Sequence, residues 1–321
     1  MFTESLIGID FIKQKNISLN LGCPNLVCLN MNQNATIERN ISISSLLRIS
    51  RPINLLLVAF TQLMTAYFLV ETSQTGLPVL EDFKLYILIL STLIITAAGY
   101  MINDYYDVKI DYVNRPNEVI VGKGIKRRVV IFLHTIFNFT GIGLGVLVAP
   151  RIGLVNFIAA FLLWLYSNQL KRKPFIGNLT VAFLTGLSVY LVAFYYQKNE
   201  LLVFTYAIFA FFLNLIREII KDIEDRDGDR KHGCQTLPIV LGFRKTKQVI
   251  FIIAICFVSA ISIVTIELNK PELFYYFGIL GFFFIWFMRK VYVSDRKAHF
   301  TELSTFAKIL MLVGTLSMGF L

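Results

Sequence analysis

Charged side chains are scarce in this sequence. Asp, Glu, Lys and Arg together make up 16% of the 321 residues, whereas apolar residues make up 56%, and the mean hydropathy is +0.65. This balance lies well outside the range of soluble globular chains. The composition therefore excludes a soluble enzyme and indicates an integral membrane protein.

Cysteine is scarce as well, with four residues in the whole chain, Cys23, Cys28, Cys234 and Cys256. These four provide no disulfide framework, and the spacing of the cysteines relative to His232 matches no compact zinc-binding pattern. We therefore expect neither a disulfide-bonded fold nor a zinc site.

The Asn-rich N-terminus lacks the basic segment followed by an apolar core that marks a signal peptide. We predict that residues 1–45 form a disordered cytoplasmic tail and that residues 46–321 form one membrane domain. Met31 is a second candidate for the start of translation, and N-terminal sequencing of the native protein would distinguish the two.

Apolar stretches long enough to cross a hydrocarbon core of roughly 30 Å recur along the chain. We predict about nine transmembrane helices, at residues 52–71, 85–102, 129–149, 152–168, 175–196, 201–220, 248–267, 273–288 and 303–321. The predicted fold is therefore an all-α bundle of membrane-spanning helices.

Lysine and arginine are concentrated in alternate loops of this arrangement. The loops after the second, fourth, sixth and eighth predicted spans are basic, and the loops between them are nearly free of cations. Because short basic loops stay in the cytoplasm, we expect the N-terminus and the basic loops on the cytoplasmic side of the cell membrane. The net charge of +10 then reflects contact with anionic lipid headgroups, and its dispersal over several loops argues against nucleic-acid binding. Nothing in the sequence indicates an obligate protein partner.

Two acidic motifs, NDYYDVKID and KDIEDRDGD, follow the second and sixth predicted spans. Each motif places three aspartates at positions i, i+3 and i+7, which lie on one face of a helix. The aspartates are Asp104, Asp107 and Asp111 in the first motif and Asp222, Asp225 and Asp229 in the second. Like charges on one face repel one another unless cations are bound, and Mg²⁺ prefers a few carboxylates together with phosphate oxygens. We therefore predict a Mg²⁺ site that holds a phosphorylated substrate, in preference to a pair of solvated acidic loops.

A transporter or an inactive membrane scaffold is the alternative from another class of protein. Transport predicts ionisable residues near the middle of several spans and helices that are broken near the membrane midplane. Here the prolines and acidic residues are concentrated at the ends of the spans, which favours the enzyme.

The two motifs resemble those of the UbiA superfamily of intramembrane prenyltransferases. An NDxxDxxxD stretch followed by Arg115 and Pro116 is similar to the first signature of that family, and the second acidic motif is similar to the second signature. Further similarity lies in RPINL, YSNQLKRKPFIGN and GCQTLPIVLG, so that the resemblance covers roughly residues 46–321. The resemblance implies a helical bundle around a central cavity, in which Mg²⁺ links a prenyl diphosphate to the two motifs and the isoprenoid tail occupies an apolar tunnel.

The resemblance also implies roles for individual residues. The six motif aspartates are expected to be catalytic metal ligands. The expected substrate-binding residues are Asn54, Asn103, Arg115, Tyr166, Lys171, Arg172 and Lys221. For Arg172 an ordinary cytoplasmic loop position is an equal alternative, and for Asn54 the alternative is an interhelical hydrogen bond. Glu118 stands where many members of the family carry an arginine, in a loop that the resemblance implies to cover the acceptor.

The second motif resembles most the branch that transfers a geranylgeranyl group to geranylgeranylglycerol phosphate and so forms an ether lipid. The alternative is transfer to an aromatic ring, as in the precursors of quinones and tocopherols, or to a chlorophyllide. We expect lipophilic substrates and the lipid bilayer to be the partners of this protein, and Mg²⁺ to be its cofactor.

Overall fold

The computed structural model describes residues 43–70, 77–269 and 271–320, all of which belong to one unit. Residues 1–42 lie outside this part, and with them most of the predicted tail, the candidate start at Met31, and two of the cysteines. Among the described cysteines, Cys234 is buried, Cys256 is exposed, and both are free thiols.

The described residues form α-helices and contain no β-strand. The α-helices are α1 (Ile43–Ile49), α2 (Pro52–Met64), α3 (Leu77–Leu80), α4 (Phe83–Asn114), α5 (Arg127–Val148), α6 (Pro150–Asn168), α7 (Ile176–Tyr196), α8 (Glu200–Lys231), α9 (Leu237–Val240), α10 (Phe243–Leu268), α11 (Pro271–Val293) and α12 (Lys297–Leu316). A π-helical turn over Thr65–Val70 extends α2, and short 3₁₀ turns cover Leu170–Arg172 and Ser317–Phe320.

Nine helices in the described part of the chain are long and apolar enough to cross a membrane. They are α2 with its π-helical turn, α4, α5, α6, α7, α8, α10, α11 and α12. The predicted class, an all-α bundle of about nine membrane spans, is confirmed. The small helices α1, α3 and α9 were not predicted, because segments of four to seven residues carry no helical periodicity of their own.

Two helices extend well beyond the predicted spans. The second span was predicted at 85–102 and the sixth at 201–220, but α4 continues to Asn114 and α8 continues to Lys231. Hydropathy ends a span where polar residues begin, whereas the helices continue because their polar residues face one another at the end of the bundle. Both acidic motifs therefore lie entirely on helices, as the i, i+3, i+7 spacing requires.

The helices that carry the motifs are central to the bundle. Helix α4 packs against α5, α6 and α8, and α8 packs in addition against α7, α10 and α12. Small residues allow some of these helices to come close. A Cβ atom at Gly186 would lie 2.9 Å from the carbonyl oxygen of Ala207, which brings α7 and α8 together next to the site. Close packing at small residues is the usual basis of helix association in membranes.

Helix α2 begins with an unusual backbone conformation. Arg51, the residue before Pro52, has φ 52° and ψ 64°, in the left-handed region that residues with a Cβ rarely adopt. Strain of this kind persists where the surrounding structure fixes it, and it is concentrated at functional sites. Here it turns the Arg51 side chain towards the end of the bundle where both acidic motifs lie.

Candidate active site

The two acidic motifs face one chamber between α4 and α8, which we call the acidic chamber. Its acidic lining residues are Asp107, Asp111, Glu218, Asp222, Asp225 and Asp229, and its basic lining residues are Arg51, Arg115, Lys171 and Lys221. Its uncharged polar lining residues include Asn103, Tyr166 and Asn178. The structure thus brings together both motifs and most of the predicted substrate-binding residues, although more than a hundred residues of sequence separate the motifs.

Asn114 joins the two motif helices directly. Its side-chain amide donates to the carbonyl oxygen of Asp225 at 3.1 Å, and its side-chain oxygen accepts from the backbone N–H of Gly228 at 2.9 Å. A Cβ atom at position 228 would lie 2.4 Å from the Asn114 amide. A glycine within the second motif therefore allows the last turn of α4 to contact α8.

Cationic side chains neutralise part of the first motif. The Arg51 guanidinium donates to the Asp104 carboxylate at 2.7 Å and lies 4.9 Å from the centre of the Tyr100 ring, and Lys171 forms an ion pair with Asp107. Burial by itself would lower the pKa of Arg51, but the Asp104 carboxylate together with Tyr100 and Asp111 more than compensates, so that the net shift of this pKa is upward. Arg51 therefore remains charged.

The second motif is held by different partners. The Asn178 amide on α7 donates to the Asp222 carboxylate at 2.8 Å. Arg115 contacts Glu224 at 3.2 Å and Asp225 at 3.4 Å, and burial is again outweighed by these two carboxylates, which raise the pKa of Arg115. Arg115 was predicted to bind substrate, and in this structure its guanidinium connects the end of α4 to α8.

Two carboxylates in the acidic chamber, Asp111 and Asp229, make neither an ion pair nor a side-chain hydrogen bond with any described residue, whereas Asp222 accepts the hydrogen bond from Asn178. In the described part of the chain, no three His, Cys, Asp or Glu side chains are close enough to form a metal cage on their own. Oxygen ligands that are spread over two facing helices fit Mg²⁺, which takes one or two carboxylates and completes its coordination with substrate phosphates and water. The donor set of the chamber is therefore compatible with Mg²⁺ and a diphosphate bound together.

An apolar chamber of about 210 Å³ continues from the acidic chamber into the bundle. Its walls include Ile95, Gly99, Val155, Ala159, Leu163, Leu184, Leu187 and Leu191. The two chambers share Arg51, Asn103, Tyr166, Glu218 and Lys221 in their linings. A ligand with an anionic head and an apolar tail therefore fits the pair, with its head among the aspartates and its tail between α4, α6 and α7.

Three predicted site residues do not line the acidic chamber. Arg172 is exposed and lines neither chamber, and its carbonyl oxygen accepts from the backbone N–H of Gln235 at 2.8 Å. Asp104 is turned towards Arg51, on the outer side of the acidic chamber. Asn54 lines the apolar chamber and accepts a hydrogen bond from Lys308 at 3.1 Å, so the interhelical bond considered for it is present.

Sequence reasoning missed several residues of the site. They are Arg51, Asn178, Arg217, Glu218, Glu224 and Lys308. Three of them carried a detectable signal, because Arg217, Glu218 and Lys308 are charged residues inside predicted spans, and such residues usually face the interior of a bundle. Arg51 and Asn178 lie in the stretches RPINL and YSNQLKRKPFIGN that resemble the family, whereas Glu224 carried no comparable signal, since its importance depends on the side chains that it contacts.

A membrane bundle in which paired acidic motifs face a chamber with an apolar extension defines an intramembrane prenyltransferase. The chain belongs to the UbiA prenyltransferase family, whose sequence profile matches residues 58–312. It is 34% identical over 238 residues to the digeranylgeranylglyceryl phosphate synthase of Methanosphaera stadtmanae, an alignment that covers 71% of this chain and 84% of the relative. The protein is therefore an enzyme that transfers prenyl groups, and neither a transporter nor an inactive scaffold.

Solved structures share the fold. A structure of a digeranylgeranylglyceryl phosphate synthase in membranes superposes with a TM-score of 0.66 at 23% identity, covering 86% of this chain and 96% of the other. A UbiA homologue from Archaeoglobus fulgidus bound to DMAPP and Mg²⁺ superposes with a TM-score of 0.60 at 14% identity, covering 86% of this chain and all of the other. At these sequence identities the structural similarity establishes the fold alone.

Proposed function

We propose that this protein transfers a geranylgeranyl group from its diphosphate to geranylgeranylglyceryl phosphate, in a reaction that requires Mg²⁺. The observation that carries the proposal is the direct opening of the acidic chamber into an apolar chamber, because a prenyl diphosphate has this division between head and tail. The choice of acceptor is supported by the name of the relative from Methanosphaera stadtmanae, which aligns over most of its length.

The chemistry requires breakage of an allylic C–O bond and stabilisation of the negative charge that develops on the departing diphosphate. Lys171 and Lys221 line the acidic chamber and supply positive charge at the head of the donor. Bound Mg²⁺ would be held by the motif aspartates, Asp111 and Asp229 among them, and would supply Lewis-acid neutralisation of the same charge.

The allylic cation must be kept from water until the acceptor reacts. The apolar chamber provides this protection. Tyr100 and Tyr166 line it, and Tyr166 also lines the acidic chamber, so their rings are placed to stabilise positive charge. The acceptor hydroxyl oxygen forms the new ether bond to the allylic carbon, and the hydroxyl proton passes to the released diphosphate. Because the cation is a strong electrophile, this step needs no strongly basic side chain.

The proposed orientation places the motif ends of α4 and α8 on the cytoplasmic side of the cell membrane. The basic loops predicted to be cytoplasmic lie at this end, since Lys171 and Arg115 belong to the acidic chamber. The test is labelling by a membrane-impermeant maleimide in a cysteine-free background. Cysteine at position 126 should be protected in intact cells, whereas cysteine at position 198 should react; the reverse pattern would overturn the orientation.

The test of the activity uses the full chain in lipid nanodiscs with Mg²⁺ and radiolabelled geranylgeranyl diphosphate. Geranylgeranylglyceryl phosphate and 4-hydroxybenzoate are offered in separate reactions. We expect labelled product with the glycerol phosphate alone, and its loss on addition of EDTA. Transfer to the aromatic acid alone would replace this proposal with the aromatic branch of the family.

Two aspartates on one helix provide a matched pair of variants. Asp229→Ala removes a carboxylate that lines the acidic chamber, whereas Asp227→Ala removes one whose side chain is 79% exposed. We expect the first variant to lose activity by at least a hundredfold, in line with the loss of a group that stabilises transition-state charge, and the second to retain it. Equal losses would show that net charge, rather than the chamber, accounts for the effect.

A further inference from the structure

A second polar cavity lies beside the acidic chamber, between α1, the start of α2, the loop after α4, α8 and α12. We call it the basic pocket. Its cationic lining residues are Arg48, Arg51, Arg115, Arg217, Lys221, Lys297 and Lys308, and its acidic lining residues are Asp104, Asp111, Glu118 and Glu224. Its volume of about 850 Å³ lies within the usual range of small-molecule sites.

The two polar cavities have opposite charge balance. Six acidic and four basic side chains line the acidic chamber, whereas four acidic and seven basic side chains line the basic pocket. Arg51, Asp111, Arg115 and Lys221 belong to both linings, so the cavities adjoin. The acidic chamber needs added cations to hold an anion, whereas the basic pocket attracts an anion directly.

Several cations in the basic pocket lack an acidic partner. Arg51 and Arg115 form the ion pairs described above, and Arg217 pairs with Glu218 through a terminal nitrogen, but Lys221 and Lys308 form no ion pair with a described residue. The Nε–H group of Arg217 is buried and makes no hydrogen bond within the described part of the chain. A buried donor without an acceptor is costly, and it marks a position where a ligand oxygen would fit.

Lys308 is the most informative of these residues. It lies eleven residues into α12, about 16 Å along the helix from Lys297, well inside a membrane-spanning segment. The single hydrogen bond that the structure gives its ammonium group is the one to the side-chain oxygen of Asn54. A charged residue at such a depth that faces the interior of a bundle is typically part of a functional site.

A second apolar chamber meets the basic pocket at Lys308. Leu57, Thr61, Phe209, Met311, Leu312 and Met318 line it between α2, α8 and α12, and its volume is about 150 Å³. It shares Asn54, Arg217 and Lys308 with the basic pocket. A polar cavity that adjoins an apolar chamber thus occurs a second time, next to the first pair of chambers.

We propose that the basic pocket and the second apolar chamber bind the acceptor as a lipid phosphate monoester, with Lys308 and Arg217 contacting its phosphate and the chamber holding its tail. This inference rests on the proposed function and adds to it the location of the acceptor and the residues that select for a phosphate. An acceptor without a phosphate leaves the cations of the pocket uncompensated, so the enzyme should discriminate against it.

The test compares Lys308→Met with Lys308→Arg in nanodiscs of neutral lipid. For Lys308→Met we expect the KM for geranylgeranylglyceryl phosphate to rise roughly ten- to hundredfold, as for the loss of one charged hydrogen bond, with the KM for geranylgeranyl diphosphate unchanged. Lys308→Arg should restore most of the affinity. The wild-type preference for the phosphorylated acceptor over geranylgeranylglycerol should shrink in Lys308→Met by the same factor.

Lys290→Met serves as the matched control, because Lys290 is exposed near the end of α11 and the one described interaction of its ammonium group is with the Trp286 ring. Ser304→Glu is a second variant in case Lys308→Met fails to fold. Ser304 lines the basic pocket one helical turn before Lys308, so a carboxylate there should pair with the lysine and raise the same KM.

The outcomes separate the two proposals. Transfer to geranylgeranylglyceryl phosphate with an unchanged acceptor KM in both Lys308→Met and Ser304→Glu would overturn the assignment of the pocket and leave the proposed function standing. Failure of the wild-type enzyme to use any phosphorylated acceptor would overturn both. An effect of Lys308→Met that is confined to nanodiscs with anionic lipid would assign the pocket to a bilayer headgroup and would also overturn the acceptor site.

Discussion

Asn114 and Gly228 connect the helices that carry the two acidic motifs: the side-chain oxygen of Asn114 accepts from the backbone N–H of Gly228 at 2.9 Å, while the Asn114 amide donates to the carbonyl of Asp225. The contact joins the last residue of α4 to the middle of the second motif. Two backbone groups and one side chain therefore help to set the distance between the aspartates of the two helices that line the acidic chamber.

Gly228→Ala should disturb this contact, because the new Cβ would overlap the Asn114 amide. We expect a loss of about 1–3 kcal/mol in the free energy of unfolding, as for overpacked sites, together with lower activity. Thermal unfolding in detergent and the transfer assay measure the two effects. Gly143→Ala is the control, since a Cβ there meets nothing within 4 Å and an alanine in a helix is slightly stabilising.

The same clash predicts coupling between the two positions. In an Asn114→Ala background the amide that the new Cβ would overlap is absent. Gly228→Ala should therefore lower the free energy of unfolding by less than it does in the wild type. Equal costs in both backgrounds would show that the glycine acts through something other than Asn114.

Asn178 should orient Asp222 through its hydrogen bond of 2.8 Å. Asn178→Ala removes a bond to a charged acceptor worth about 1.5–3 kcal/mol, so kcat/KM for the donor should fall roughly ten- to hundredfold. Asn178→Asp should be worse, because it sets two carboxylates against each other. Thr180→Ala, at a half-buried position of the same helix that lines neither chamber, should have no effect. A milder loss in the aspartate variant than in the alanine variant would contradict this account.

Arg51 should contribute through its shape as well as its charge. Lysine keeps the charge but loses the planar group that contacts Asp104 and lies over Tyr100. Steady-state kinetics should therefore rank the wild type above Arg51→Lys, and Arg51→Lys above Arg51→Ala. Arg128→Ala, which removes an exposed arginine of α5, should behave as the wild type. Full activity in Arg51→Lys would mean that charge alone matters at this position.

Ala159 should limit the length of the donor tail, because it lines the apolar chamber. In Ala159→Phe the added ring takes up chamber volume, so kcat/KM with geranylgeranyl diphosphate should fall at least about tenfold, while dimethylallyl diphosphate should be affected much less. Product analysis by chromatography with each donor measures the ratio. Ile158→Phe places the same ring at a position that is 44% exposed, outside the chamber, and should leave the ratio unchanged.

Much of the architecture follows from the sequence alone. Each apolar stretch is long enough to cross a bilayer by itself, so the nine helices are properties of local segments. The motif aspartates were also identifiable, because their common spacing places them on one helical face whatever the helix packs against. The predicted ends of α4 and α8 were wrong by about a dozen residues, since hydropathy registers the apolar part of a helix and misses a polar extension that packs against another helix.

Only the tertiary structure decided which side chains meet. Arg51 reaches Asp104 across 53 residues of sequence, and Lys308 reaches Asn54 across 254 residues. No local pattern encodes such pairs, because they depend on which faces of α2, α4, α8 and α12 turn towards one another. The sequence thus determined a membrane bundle with two acidic helices. The packing of the helices decided that a net acidic chamber and a net basic pocket lie side by side. The charge balance of each cavity depends on all the side chains that the fold places around it, and these come from distant parts of the sequence.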